Sequence, residues 1–487
     1  MNKITLLVVS LFANTGILAQ VPDTLVRDRF LRRLDSLENS LFLQHGRISG
    51  SIKACKTGET VLNWRQRKAF PSASTIKLLT TATAMAVLNE NYTYATVLET
   101  DGIIRGDTLI GNVYFRGSGD PSLGSGRFKG YPDRAGVFQE CLAAVRKKGI
   151  RYVTGAVVAD AGIFDSNTIP DGWMWEDLGN YYGAGVSGLN IDENIARFVF
   201  RPGATIGDPT EVLRLEPELP AVSVVNRVTT REAGSGDQVN INVTPLGNTF
   251  FLNGTVPKGK AEFPVKGSIP DPARFAALSL RNTLIQNGIG VAGGPSLATP
   301  ADTARRDTLL VLKSPPLKDL ARECNYYSIN LYAEAFLKTV AVVLNEGNDT
   351  HAGIDALKKV WAAKQLVFPG LRMKDGCGLS PQTTVTAEAM TDLLARVSNE
   401  PYFPAFYESI AVLGRDGTLR NLGKKTRAAG NVRAKSGTIG GVRGYAGYFT
   451  AKNGEKYAFA FYMENYDADF GSPAKVMEKL MVQLVDF

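Results

Sequence analysis

The two ends of this 487-residue chain read as reversed copies of one another. Residues 24–43 carry apolar side chains at helical spacing: Leu25, Phe30, Leu31, Leu34, Leu37 and Leu41. That pattern predicts an amphipathic helix packed on a sheet. Two strand-like runs follow, Arg47–Ala54 and Glu59–Asn63, joined by a turn at Thr57-Gly58. At the far end, Arg443–Thr450 and Lys456–Met463 flank Asn453-Gly454, a hairpin signal. A last helix is predicted over 473–485. Helix-strand-strand at the front and strand-strand-helix at the back predict one α/β domain closed by both ends of the chain. Most of what lies between must then be an insertion.

The middle has the texture of one. From about 99 to 305, short strand-like runs alternate with Gly, Asp, Asn and Pro. Thr108–Phe115, Tyr152–Ala159, Val222–Thr230, Gln238–Val243 and Thr249–Val256 predict β-rich domains. A helix is expected at 272–286, ending at Asn287-Gly288. Gly117-Ser118-Gly119-Asp120-Pro121 lacks a following Gly-Lys-Ser/Thr and is read as a turn, not a phosphate loop. After Pro315-Pro316 helical patterns return at 317–323, 328–343, 352–364 and 386–398.

Targeting and composition narrow the function. Residues 1–20 combine a charged start, the apolar run Ile4–Phe12 and small residues near Ala19, which predicts a secretory signal peptide. The run is too short to span a membrane. No later stretch is apolar enough to span one, so the expected protein is exported and periplasmic, with no transmembrane segment. A net charge of +8 would favour an anionic polymer outside the cytoplasm, and export makes nucleic acid a poor partner. Cys55, Cys141, Cys324 and Cys377 can pair in three ways or stay free and buried, and no CxxC or Cys/His cluster suggests a metal. No cofactor is expected. The two histidines, His45 and His351, have no supporting motif. If the chain is a hydrolase, its base is not expected to be histidine.

A different base is on offer. Ser74 lies where the loop at Pro71 turns into an apolar helical pattern, and Lys77 follows three residues later. Positions i and i+3 share a helical face, so hydroxyl and amine can touch. A serine nucleophile needs a proton acceptor, and a lysine with a depressed pKa can serve. Two more stretches complete a set. Tyr326-Tyr327-Ser328-Ile329-Asn330 opens a helix, and Lys435-Ser436-Gly437-Thr438 leads through Gly440-Gly441 into the hairpin. Ser-x-x-Lys, Ser-x-Asn and Lys-Ser/Thr-Gly, in that order, form the signature of the penicillin-recognising serine acyl transferases.

The finer resemblance is to the D-alanyl-D-alanine carboxypeptidase/endopeptidase family, the class C low-molecular-mass penicillin-binding proteins. Pro71–Ala82 resembles that family's nucleophile segment. So do Gly119-Asp120-Pro121-Ser122-Leu123, Tyr181-Tyr182-Gly183-Ala184, Asp375-Gly376-Cys377-Gly378-Leu379-Ser380 and Asp416-Gly417-Thr418-Leu419. In that family a long insertion separates the first two motifs, as it separates Ser74 from Ser328. The resemblance implies a β-lactamase-like transpeptidase domain, an antiparallel sheet flanked by helices, made of residues 24–98 and 306–487. Residues 99–170 with 272–305, and residues 171–271, would form two inserted β-rich domains.

The resemblance also implies roles. Ser74 would attack the carbonyl of a D-Ala-D-Ala bond, and Lys77 would take its proton. Burial and the Lys435 cation would lower the Lys77 pKa. Ser328 would relay a proton to the leaving amine, and Asn330 would hold Lys77 or the substrate amide. Lys435, Ser436 and Thr438 would bind the terminal carboxylate. Amides of Ser74 and Thr438 would form the oxyanion hole, and Gly437 would let the strand approach the ligand. Trp173, Trp175, Glu176, Asp177, Tyr181 and Tyr182 would line the cleft or pack beneath a loop. Peptidoglycan stem peptides would be substrates and β-lactams inhibitors. Cys377 stands where the family usually has Ser, which leaves open a disulfide with Cys324. Pro381 stands where it often has Arg, which bears on the substrate's distal side chain. Two alternatives share the fold: a wall-binding scaffold, and a β-lactamase or esterase with the same nucleophile.

Overall fold

The computed structural model describes residues 24–219 and 222–487, so the expected signal peptide lies outside the described residues. Both chain ends meet in one five-stranded antiparallel sheet. Its order is Thr60–Trp64, Arg47–Ala54, Lys456–Glu464, Val442–Thr450, Arg433–Ile439. Arg47 pairs with Glu464 and Ala54 with Tyr457, which stitches the first strand to the last along its full length.

The last strand is buried on both faces, and its alternation shows why. Tyr457, Phe459, Phe461 and Met463 enter one core, with Phe30, Leu34, Ile48, Ile52, Leu480 and Leu484. Ala458, Ala460 and Tyr462 enter the other, with Met85, Leu393 and Leu394. A period of two sends successive side chains to opposite faces. The terminal helices Thr24–Glu38 and Pro473–Leu484 cover the first face; Phe30 stacks on Phe461 at 5.7 Å between ring centroids. The helices Lys77–Leu88 and Ala387–Val397 cover the second.

The inserted part builds four more sheets around a separate core. One has the order Ser296–Leu297, Val157–Asp160, Val113–Arg116, Ala95–Thr100, Asp307–Lys313. A small one joins Gly290–Val291, Tyr152–Val153, Thr108–Ile110 and Ile103–Arg105. Two three-stranded sheets follow, and in one of them Ser223–Arg231 runs parallel to Thr249–Pro257. The expected helix at 272–286 is present as Pro272–Gln286.

One helix departs from the β-rich expectation. Arg134–Lys147 is helical, capped by Asp133, whose side chain accepts from the Gly136 amide. Val137, Phe138, Cys141, Leu142 and Val145 supply its buried face, packed with Leu280 and Leu284 of Pro272–Gln286. Among the described residues, no helix is long and apolar enough to cross a membrane.

Candidate active site

Ser74 sits in a single turn of 3-10 helix, Ala73–Ile76, which runs directly into Lys77–Leu88. Ala73 is held at φ +42°, a left-handed conformation that is costly for a residue with a Cβ. This turn presents the Ser74 side chain at the floor of a cleft of about 630 Å³. Lys77 is fully buried one turn on. Its Nζ donates to Ser74 Oγ (2.9 Å), Asn330 Oδ1 (2.6 Å) and the Cys377 carbonyl (2.7 Å).

Ser328 does not open a helix as the sequence pattern suggests. It follows the helix Leu317–Tyr327 in left-handed conformation (φ 61°, ψ 41°), and the next helix begins at Asn330. The left-handed residue turns the chain between two helices and leaves the Ser328 hydroxyl free to face the cleft. Lys435 Nζ donates to Ser328 Oγ (2.9 Å) and to the Ser436 carbonyl (2.7 Å). Burial, and secondarily the Lys77 cation, hold Lys435 well below the usual lysine range. Two hydrogen-bonded groups from three distant segments thus face the cleft, Lys77 with Ser74 and Asn330, and Lys435 with Ser328.

The third segment is pressed against the first. A Cβ placed on Gly437 would lie 3.0 Å from the Ser72 carbonyl oxygen and 3.2 Å from the Ser74 amide nitrogen. Only a glycine lets this strand approach the nucleophile's backbone so closely. Ser436 Oγ donates to Thr418 Oγ1 (2.8 Å), so the Asp416–Leu419 segment orients the motif's hydroxyl. Thr438 lines the cleft.

Several residues that shape this site were given no role from the sequence, although Asp375–Ser380 stood out as a family-like segment. Asp375 is buried and accepts from Trp173 Nε1, the Gly378 and Ser380 amides, Thr383 Oγ1 and the Cys377 thiol. It thereby fixes the loop whose Cys377 carbonyl receives Lys77. Gly378, at φ +77°, lies against the Ala73 carbonyl so closely that a Cβ would approach it to 1.9 Å. Glu334 Oε1 accepts from the Gly376 amide (2.9 Å), while its Oε2 is buried without a partner. Glu334, Asp375 and Cys377 bring their ligating atoms within 4.8 Å of one another. Asp375 is already saturated by five donors, so the cluster serves as a polar floor beneath Lys77 and is a poor metal cage.

Burial, and secondarily Asp375, push the Glu334 carboxyl up to about 7. The folded chain therefore holds this proton more tightly than the unfolded chain does. The associated stability is fully present below about pH 4.5 and is lost as the pH rises through about 7. That interval corresponds to about 3 kcal/mol. Glu334→Gln is expected to melt above the parent at pH 8, with the gap closing toward pH 5. A gap that does not change with pH in thermal melts would show that Glu334 does not titrate in this range.

The remaining expectations divide. Glu176, Asp177, Tyr181 and Tyr182 line the cleft, and the Tyr182 carbonyl accepts from Asn330 Nδ2 (2.7 Å). Burial and then Asp177 raise the Tyr182 phenol. Trp173 instead turns inward to Asp375, and Trp175 stands 58% exposed outside the cleft wall. The disulfide left open between Cys324 and Cys377 is not formed. Both thiols are free and buried, and the Cys324 Sγ contacts the Ile329 carbonyl instead. His351 lies on the surface, 3.4 Å from Asp171.

A closed antiparallel sheet with a serine–lysine pair at the head of the helix packed on it defines the class: a β-lactamase-like transpeptidase fold carrying additional sheets. Residues 35–485 match the D-Ala-D-Ala carboxypeptidase 3 (S13) family, and the chain belongs to that family. It is a serine-type D-Ala-D-Ala carboxypeptidase. The chain is 28% identical over 456 residues to a D-alanyl-D-alanine carboxypeptidase of Actinomadura sp., covering 91% of this chain and 82% of the relative. It is 26% identical over 400 residues to the carboxypeptidase DacB of Haemophilus influenzae, covering 81% and 80%. The crystal structure of penicillin binding protein 4 from Haemophilus influenzae superposes with a TM-score of 0.77 at 23% identity, covering 92% of this chain and 97% of that one. The same protein in complex with a β-lactam superposes with a TM-score of 0.74 at 20% identity, covering 93% and 98%.

Proposed function

We propose that the chain is an exported, periplasmic serine D,D-peptidase that removes the terminal D-Ala of peptidoglycan stems, cleaves D-Ala cross-links, and is acylated by β-lactams. The observation that carries this is the position of Lys77, whose amine is held on Ser74 Oγ by Asn330 and the Cys377 carbonyl. Lys77 Nζ takes the Ser74 proton as Oγ attacks the carbonyl of the penultimate D-Ala. The tetrahedral oxyanion forms between the Ser74 and Thr438 amides, which the close approach at Gly437 brings to one place. Collapse expels the C-terminal residue as an amine, protonated through Ser328, which Lys435 orients. Water then releases the acyl group from Ser74 with the proton path reversed.

The acidic arm of the cleft, Glu176 and Asp177 beside Tyr182, receives the stem peptide. The β-lactam complex of the Haemophilus influenzae protein supports the inhibitor class, and the N-terminal charged-apolar run supports export. The protein is incubated with labelled penicillin and, separately, with peptidoglycan. Expected are a long-lived adduct on the peptide containing Ser74, free D-Ala, and uncrosslinked fragments. A short-lived adduct with no D-Ala release would instead identify a β-lactamase. Binding of peptidoglycan with no product and no adduct would identify a scaffold.

A further inference from the structure

The strand pair that carries the third motif holds a cation with no counter-charge. Arg443 stands directly opposite Thr438 in the antiparallel register, and Tyr445 stands opposite Ser436. These four side chains share one face of the pair, because positions two apart on a strand point the same way. The guanidinium donates to Thr438 Oγ1 from Nη1 (2.6 Å) and to the Tyr445 hydroxyl from Nε and Nη2 (3.1 and 2.8 Å). Among the described residues, no carboxylate lies within salt-bridge distance of Arg443, although the side chain is half-buried. An arginine that is fixed, partly desolvated and lacking an anion is a ready receptor for one.

Lys435, the cation named by the motif, is engaged elsewhere. It lies on the opposite face, is fully buried, and spends its donors on Ser328 and the Ser436 carbonyl. The hydroxyls beside Arg443 are arranged differently. A threonine oxygen has one proton to give and two lone pairs. Arg443 occupies one lone pair of Thr438, which leaves the Thr438 proton available to a ligand in the cleft that Thr438 lines. Ser436 and Thr418 supply a second pair of hydroxyls on the same motif.

We propose that Arg443 supplies the charge that recognises the free α-carboxylate of the residue leaving from the scissile bond, acting directly and through Thr438. This inference rests on the peptidase reading above. It makes Arg443 a specificity determinant: a substrate ending in a carboxylate is favoured over the same peptide ending in a carboxamide.

The test compares an acetylated L-Lys-D-Ala-D-Ala peptide as free acid and as C-terminal amide, with the parent, Arg443→Ala and Arg443→Lys. The parent is expected to prefer the acid. In Arg443→Ala the acid-over-amide ratio of kcat/KM should fall at least about tenfold, carried by KM for the acid, and Arg443→Lys should restore part of it. Equal losses on both peptides would mean damage to the strand and would overturn the proposal, as would an undiminished ratio. A parent that turns over neither peptide overturns the peptidase reading and this inference together. A parent that turns over both, with an unchanged ratio in Arg443→Ala, overturns this inference alone.

Discussion

Penicillin labelling is expected to vanish in Ser74→Ala and to fall about 10⁴-fold in Lys77→Met, with both variants still folded. In the proposed mechanism the first removes the oxygen that carries the acyl group. The second keeps the nucleophile but removes its proton acceptor. Met fills the space of the lysine stem, so the apolar packing around Lys77–Leu88 survives. What it loses is three hydrogen bonds that converge on one nitrogen. Asn330 Oδ1 and the Cys377 carbonyl then lack their donor, at a cost of about 1–3 kcal/mol each. That cost is offset in part by no longer burying an amine. The two effects separate in one experiment: acylation rate by stopped labelling, and melting temperature on the same samples. A Lys77→Met protein that acylates within tenfold of the parent would remove Lys77 from the role of base.

Gly437→Val is the second large effect. Its Cβ would meet Ser72 and Ala73 at 3.0 Å and the Ser74 amide at 3.2 Å, two of them backbone atoms that cannot swing aside. The strand Arg433–Ile439 must then retreat from the turn Ala73–Ile76, carrying the Thr438 amide with it. An oxyanion held by one amide instead of two loses about 3 kcal/mol of transition-state stabilisation, or 10²–10³ in rate. The expected signature is a fall in the acylation rate constant with substrate binding altered much less. Acylation at the parental rate would mean that Thr438 N–H is not an oxyanion donor.

What could be read from the chain alone follows from the physics of each feature. The terminal closure was legible because Asn453-Gly454 marks a hairpin between two strand-like runs, and the strand-strand-helix order that results mirrors the front of the chain. The three motifs were legible because acyl transfer needs a nucleophile, a base and a proton relay, and few residue types serve. The details between them were not. The left-handed turn at Ser328 is imposed by two helices meeting, and a serine carries no sign of it. Two of the five donors on Asp375 are amides of its own loop and three are side chains, and they converge only once the loop is folded. Trp173 has the composition of a cleft residue and the position of a buried one, because Asp375 draws its indole inward. The helix Arg134–Lys147 lies within a region whose short strand-like runs read as β-rich throughout, and its start rests on a single capping residue, Asp133. Arg443 was visible only as the first residue of a hairpin. The absent acid beside it is a fact of three dimensions.

The sheet that joins Arg47–Ala54 to Lys456–Glu464 has a consequence for when activity can begin. Lys435, Ser436 and Thr438 lie on its edge strand, which is held by Val442–Thr450, which is held in turn by Lys456–Glu464. The nucleophile turn is therefore made early in synthesis and stays without its partners until the last tenth of the chain has been delivered. Completion of the site is thereby tied to completion of the sheet, and a chain that lacked Lys456–Glu464 would keep Ser74 and Lys77 without the strand that holds Lys435 in place.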